Sequence, residues 1–250
     1  MIGAVIGAGG VGQAMAKRLS ELGHEVYLVH RPHQVVEGTY IGMTDWRALP
    51  WERLEVVLLC VRDAQIMPLA REVRQEAGPR VAIGHTAGSV PIEALGDWPK
   101  RGVLYPLQTF SPGLPIQWGH FPIFWEGDRL FFELATILSG NPDTVYQANS
   151  RERLRLHVGA VFVANFTNAF VDIAQRLVQP RWDHRIYLPL LEAVVQKLYQ
   201  LNPREAQTGP ARRGDRETIE KHLALLKAEW PPLVSIYEAM SRYIQSQSLQ

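Results

Sequence analysis

The feature that most constrains this chain lies in its first dozen residues. A short apolar run, Ile2–Ile6, passes directly into Gly7-Ala8-Gly9-Gly10-Val11-Gly12 and then into a helical pattern in which Val11, Met15 and Leu19 recur every four residues. Strand, glycine turn and helix in that order are the local grammar of a dinucleotide-binding turn. The three glycines differ in what they allow. Gly7 permits the tight turn, Gly9 lets a pyrophosphate approach the backbone, and Gly12 lets the helix pack on the strand. The amides of the turn, including those of Ala8, Gly10 and Val11, sit at a helix N-terminus whose partial positive charge favours phosphate.

A second strand follows at 25–30 after Gly23 stops the helix, which completes a βαβ unit within about 30 residues. Further strands are expected at 40–43, 55–61, 80–85, 102–105 and 121–125, several of them separated by helical stretches. This alternation predicts an α/β fold with a Rossmann-like, mostly parallel sheet covered on both faces. An acid at the end of the second strand would select NAD by accepting hydrogen bonds from ribose hydroxyls. The chain has His30-Arg31-Pro32-His33 there instead. A carboxylate would repel a 2′-phosphate, whereas Arg31, beside His30, can pair with it in a fork, so NADP(H) is the expected cofactor. A solvated loop arginine is the alternative reading, since the chain has 21 Arg against 5 Lys.

After Asn141-Pro142 the pattern changes to apolar residues at helical spacing, with helices expected at 150–179, 184–201, 215–230 and 232–245. The domains are therefore placed at 1–148, binding dinucleotide, and 149–250, an all-helical substrate and dimerisation domain. The first of these helices is apolar on most of its circumference (Val158, Val161, Phe162, Val163, Phe166, Phe170), which suggests a core completed by a second subunit. A homodimer is expected.

Composition narrows the function classes. With 46% hydrophobic and 20% charged residues the chain can bury a full core, and a net charge of +1 excludes the basic field that nucleic-acid binding requires. One cysteine, Cys60, allows no intramolecular disulfide, and the eight scattered His form no helical ligand pair, so no metal site is expected. No apolar run approaches the ~18 residues of a membrane helix, and no signal-like segment precedes the first strand, so no membrane partner and a cytoplasmic location are expected.

Larger motifs carry a family resemblance over nearly the whole chain. They are Gly7 to Gly12, Val61-Arg62-Asp63, His85-Thr86-Ala87-Gly88-Ser89, Tyr105-Pro106-Leu107-Gln108-Thr109-Phe110, His157 with Asn165, and Thr208-Gly209-Pro210-Ala211-Arg212-Arg213-Gly214-Asp215. Together they resemble bacterial Rossmann-like proteins that carry a C-terminal domain of unknown function 2520. That family is similar to the 6-phosphogluconate dehydrogenase, ketopantoate reductase and pyrroline-carboxylate reductase group. The resemblance implies an N-terminal NADP domain to which Val61 and Arg62 contribute, a helical dimerising domain, and an active site between them. In the similar dehydrogenases a lysine and an asparagine one turn apart commonly assist hydride transfer. Here Asn165 matches, but Val161 stands one turn earlier and no lysine occurs between residues 101 and 196.

His157 is the available substitute for the absent lysine, because residues 157, 161 and 165 step in fours along a helix and imidazole can donate a proton near neutral pH. A histidine buried at an interface is the competing reading. His85 and Thr86 lie at the carboxyl end of an expected central strand, where open α/β sheets place ligands, with Gly84 and Gly88 leaving room for one. Gln108 is a candidate for orienting a small polar substrate. Thr208, Arg212 and Arg213, on a Gly-Pro turn, are candidates for an anionic one, and Asp215 reads as the N-cap of the next helix. The expectation is an NADP(H)-dependent oxidoreductase acting on a small oxo- or imino-acid-type substrate. A non-catalytic NADP(H) sensor is the alternative that the missing lysine favours.

Overall fold

A computed structural model describes residues 1–34, 38–111 and 113–247, and in it the chain divides into two compact units, Met1–Asn168 and Ala169–Gln250. The first unit is built on one eight-stranded sheet of order β3-β2-β1-β4-β5-β6-β7-β8. The strands are β1 (Ile2–Ile6), β2 (Glu25–Val29), β3 (Ile41–Met43), β4 (Val56–Leu59), β5 (Ala82–His85), β6 (Arg101–Pro106), β7 (Ile123–Gly127) and β8 (Val145–Gln147). The six strands from β3 to β6 run parallel, while β7 turns back antiparallel to β6 and β8 lies parallel to β7. This is the expected Rossmann-like sheet, and β8 is an addition to it.

Helices α1 (Gly10–Glu21) and α3 (Arg129–Ser139) cover one face of the sheet, and α2 (Asp63–Glu76) covers the other. Because side chains alternate along a strand, Ala4, Ile6, Val57 and Leu59 pack with Ile66, Ala70 and Val73 of α2, whereas Val5, Val56 and Leu58 pack with Met15, Leu19 and Phe131. Both faces are buried, so the inner strands are continuous apolar runs rather than alternating ones. Each fully buried Leu, Val or Phe contributes roughly 1.5–3 kcal/mol, which makes the carboxyl edge of this sheet a rigid platform.

Asn149 opens the next helix, α4 (Ser150–Ala160), with a capping box in which its side chain accepts from the Arg151 and Glu152 amides while Glu152 accepts from the Asn149 amide. A π-helical segment, Val161–Phe166, continues α4, and α5 (Thr167–Val178) follows it. The change of character sits near the expected 148/149 border, but the first compact unit extends to Asn168, because α4 is anchored to β7 by a buried ion pair. Contrary to the expectation from apolar runs, the helical run Ser150–Val178 has the length and composition of a bilayer-spanning segment, with a mean hydropathy of 1.3 over its most apolar stretch. Asn165, Asn168 and Asp172 interrupt it.

The second unit holds most of α5, then α6 (Leu188–Leu198), the one-turn helices α7 (Pro203–Ala206) and α8 (Pro210–Arg213), α9 (Arg216–Glu229) and α10 (Val234–Gln247). The single helix expected over 184–201 is a 3₁₀ turn, His184–Tyr187, leading into α6. Asp215 does cap α9, its carboxylate accepting from the Thr218 amide at 3.1 Å and the Thr218 hydroxyl at 2.8 Å. Among the described residues of this unit only Ala211 and Leu226 are buried apolar side chains. Phe170, Pro210, Leu226, Met240 and Ile244 help line an open apolar cavity of about 300 Å³.

Candidate functional site

The glycine turn is shaped by what it cannot contain. Gly7 adopts φ +112°, and a Cβ on it would collide with the Cys60 carbonyl. A Cβ on Gly12 would collide with the Gly7 carbonyl, so strand β1 and helix α1 meet backbone to backbone. A Cβ on Gly9, by contrast, would meet nothing within 4 Å. Gly9 is exposed, caps α1 without any side-chain hydrogen bond, and leaves the first amides of the helix to a ligand. The Ala8 carbonyl is fixed by the side-chain amides of Gln13 at 2.8 Å and Gln34 at 2.6 Å. Val11 is half-buried against the core, and Gly10 packs on Phe110. These residues fit the pyrophosphate of a dinucleotide.

β2 ends beside this turn, where the Gly7 amide donates to the Val29 carbonyl at 3.0 Å. The His30 amide donates to Met43 at 2.8 Å, and the His30 ring pairs through Nδ1 with the Arg31 carbonyl at 2.9 Å. The Arg31 side chain is exposed and forms no ion pair among the described residues. An arginine in this place fits a phosphate on the adenosine ribose.

The carboxyl ends of β4 and β5 form the other half of the platform. Val61 and Arg62 follow β4, and Arg62 precedes the first turn of α2. The Thr86 hydroxyl donates to Cys60 Sγ at 3.6 Å, and burial pushes the Cys60 thiol up to about 12, so it stays protonated. Cys60 supports the turn and supplies no nucleophile.

His85 departs from expectation. It ends β5 as foreseen, but it is completely buried, with Nδ1 accepting from the Ala87 amide at 3.2 Å. Burial, reinforced by the Arg153 guanidinium, lowers its pKa to about 4 against partial opposition from the Pro91 carbonyl and Asp63. A neutral imidazole enclosed in this way holds the following loop through Nδ1, while its buried Nε2 has no hydrogen-bond partner among the described residues. Gly84 and Gly88 also differ from expectation: Phe131 fills the space beside Gly84, and the His157 ring fills the space beside Gly88. Neither is open to a ligand.

His157 itself is half-buried on α4, and its Nδ1 lies 3.1 Å from the Tyr105 hydroxyl, with the two rings edge-on at 81°. Tyr105 stands at the carboxyl end of β6, so the pair sits over the same sheet edge as the glycine turn. Burial raises the Tyr105 pKa, with Arg153 opposing, so the phenol keeps its proton. Asn165 is exposed in the π-helical segment.

Beneath this pair lies a constellation with no local sequence signal. Arg153 is 1% exposed and forms an ion pair with Glu126 of β7. It also donates to the Ala87 carbonyl at 3.2 Å and to the Val90 carbonyl. Glu126 accepts in addition from the Ser150 amide at 2.9 Å, and Ser150 Oγ accepts from the Ile92 amide at 3.0 Å. Ser89 donates to Asp63 at the start of α2. The loop from His85 to Ile92 is thereby pinned from both sides below His157.

Gln108 is exposed and folds back to accept from the Thr109 amide at 2.8 Å. Thr208, Arg212 and Arg213 belong to the second unit. Thr208 lines its apolar cavity, while Arg212 and Arg213 are exposed on α8, with Arg213 4.0 Å from Asp215. Among the described residues no group of three or more His, Cys, Asp or Glu is placed to hold a metal.

Known proteins match both parts of the chain. Residues 3–88 match the family described as NADP oxidoreductase, coenzyme F420-dependent, and residues 122–244 match domain of unknown function 2520. A Bacteroides fragilis protein assigned as an NADP oxidoreductase is 30% identical, with 98% of this chain and 97% of that one aligned at a TM-score of 0.87. A reductive aminase from Aspergillus terreus, solved with NADPH and ethyl levulinate, is 16% identical over 98% and 97% of the two chains at a TM-score of 0.67. An imine reductase from Streptomyces aurantiacus is 15% identical over 100% and 98% at 0.64. A search of the curated proteins returns no match.

Proposed function

The chain belongs to the Rossmann-like NADP oxidoreductase family that carries the C-terminal domain of unknown function 2520, and from that premise we propose a reductase or dehydrogenase for a small polar carbonyl or imine substrate. The observation that carries the proposal is the Tyr105–His157 pair, a proton-bearing group on the same sheet edge as a glycine turn open to phosphate. When bound, the nicotinamide supplies hydride at C4. The Gly7 to Gly12 turn holds the pyrophosphate, His30 and Arg31 hold the 2′-phosphate, and Val61, Arg62 and Thr86 border the remainder. His157 gives a proton to the substrate heteroatom as negative charge develops there, and Asn165 orients that atom. Gln108 is assigned to a polar part of the substrate.

Fluorescence titration with NADPH and NADH tests the cofactor part. NADPH binds more tightly, and Arg31→Ala reduces the preference by ~10- to 100-fold, the equivalent of one charge-assisted phosphate contact. Equal affinities in the wild type, or an unchanged ratio in the variant, overturn it.

We also propose that the active form is a homodimer. Phe162 and Val163 in the first unit are 61% and 76% exposed, Leu190 in the second is 65% exposed, and that second unit buries only two apolar side chains among its described residues. Faces of this kind are completed by a partner. Sedimentation equilibrium at micromolar concentration returns a dimer, and a clean monomer sinks the assignment.

A further inference from the structure

We infer that Tyr105 is a positioning residue whose phenol donates to His157 Nδ1, fixing the ring as the Nε2–H tautomer and presenting Nε2–H to a hydrogen-bond acceptor on the substrate. This rests on the reading of His157 as the group that faces substrate. Three observations carry it. The Tyr105 hydroxyl lies 3.1 Å from Nδ1 and has no other hydrogen-bond partner among the described residues. Tyr105 is only 8% exposed as a residue, and a phenol that merely accepted from Nδ1–H would leave its own proton without a protein partner among the described residues. Gly88 closes the same side of the ring, where the Cγ, Cβ and Nδ1 atoms of His157 occupy the space a Cβ would need. The ring is therefore gripped along its Nδ1 edge, and its opposite edge carries Nε2.

The tautomer has a chemical consequence for the substrate. Nε2–H matches a carbonyl oxygen or an unprotonated imine nitrogen, both of which accept. It does not match a protonated iminium, whose own N–H would face it. When Nε2–H gives its proton to the heteroatom of the reduced carbonyl or imine, Nδ1 can take the phenol proton. The Nε2–H and O–H bonds break as the substrate–H and Nδ1–H bonds form, and the resulting phenolate lies within the field of the Arg153 guanidinium. Solvent then returns one proton to the pair.

Long-range ¹H–¹⁵N spectra of the full chain labelled at its eight histidines test this without turnover. The His157 signals are identified by their loss in His157→Gln. Near pH 8 the wild-type spectrum shows His157 with Nε2 protonated and Nδ1 bare, and in Tyr105→Phe the Nδ1 resonance moves and the Nδ1–H tautomer gains population. A wild-type Nδ1–H tautomer, or signals unmoved by Tyr105→Phe, overturn the inference. Should Tyr105→Phe fail to fold, the wild-type tautomer alone decides. NADPH titration of the same wild-type sample separates the two readings: absent binding removes the proposed function, whereas retained binding with the wrong tautomer removes only the role of Tyr105.

Discussion

Arg153→Met lowers folding stability by ~3–5 kcal/mol, because it leaves the Glu126 carboxylate largely enclosed without its cation. The Arg153 and Glu126 side chains are 1% and 16% exposed, so water cannot replace the lost partner as it would on a surface. The variant also releases the Ala87 and Val90 carbonyls, both of which Arg153 satisfies. Urea unfolding followed by far-UV circular dichroism measures the effect. Adding Glu126→Gln to Arg153→Met recovers a substantial part of the loss, because the uncompensated charge is then gone. A midpoint change equivalent to less than ~1 kcal/mol in the single variant, or no recovery in the double, would show that the pair is an ordinary surface bridge.

The same ion pair shows which parts of this protein are legible in its sequence. The glycine turn is readable because strand, turn and helix are consecutive, and the tightest constraints on Gly7 and Gly12 come from the backbone around the turn itself and from the neighbouring strand end at Cys60. Arg153 and Glu126 lie 27 residues apart on a helix and a strand, and neither carries a local pattern that announces a partner. The position of His85 follows from strand periodicity, but its complete burial and the nearby Arg153 charge are set by segments distant in the sequence. β8 has three residues and exists through its pairing with β7, so no apolar run marks it. The one-turn helices α7 and α8 start at Pro203 and Pro210, at positions where proline favours a first helical turn but also reads as a turn signal. Gly88 is the instructive case: the absence of a side chain there is legible, but the ring that uses the space comes from residue 157.

His157→Gln lowers turnover by roughly 10²- to 10⁴-fold while leaving NADPH affinity nearly intact, once a substrate has been found by screening small oxo- and imino-acids. Position and elimination both lead to this residue. The chain has no lysine between residues 101 and 196, His85 is buried and held neutral, and Cys60 stays protonated. His157 remains as a half-buried proton-bearing group on the carboxyl edge of the sheet, tied to the Tyr105 phenol. Glutamine keeps a polar side chain of similar reach but cannot give up a proton, so the change removes transition-state assistance and spares the glycine turn. Single-turnover kinetics with saturating NADPH isolates the reductive step from product release. Wild-type turnover in His157→Gln would transfer the proton to water and remove the catalytic role assigned to this residue. Tight NADPH binding without turnover across the whole screen would instead favour a non-catalytic cofactor sensor.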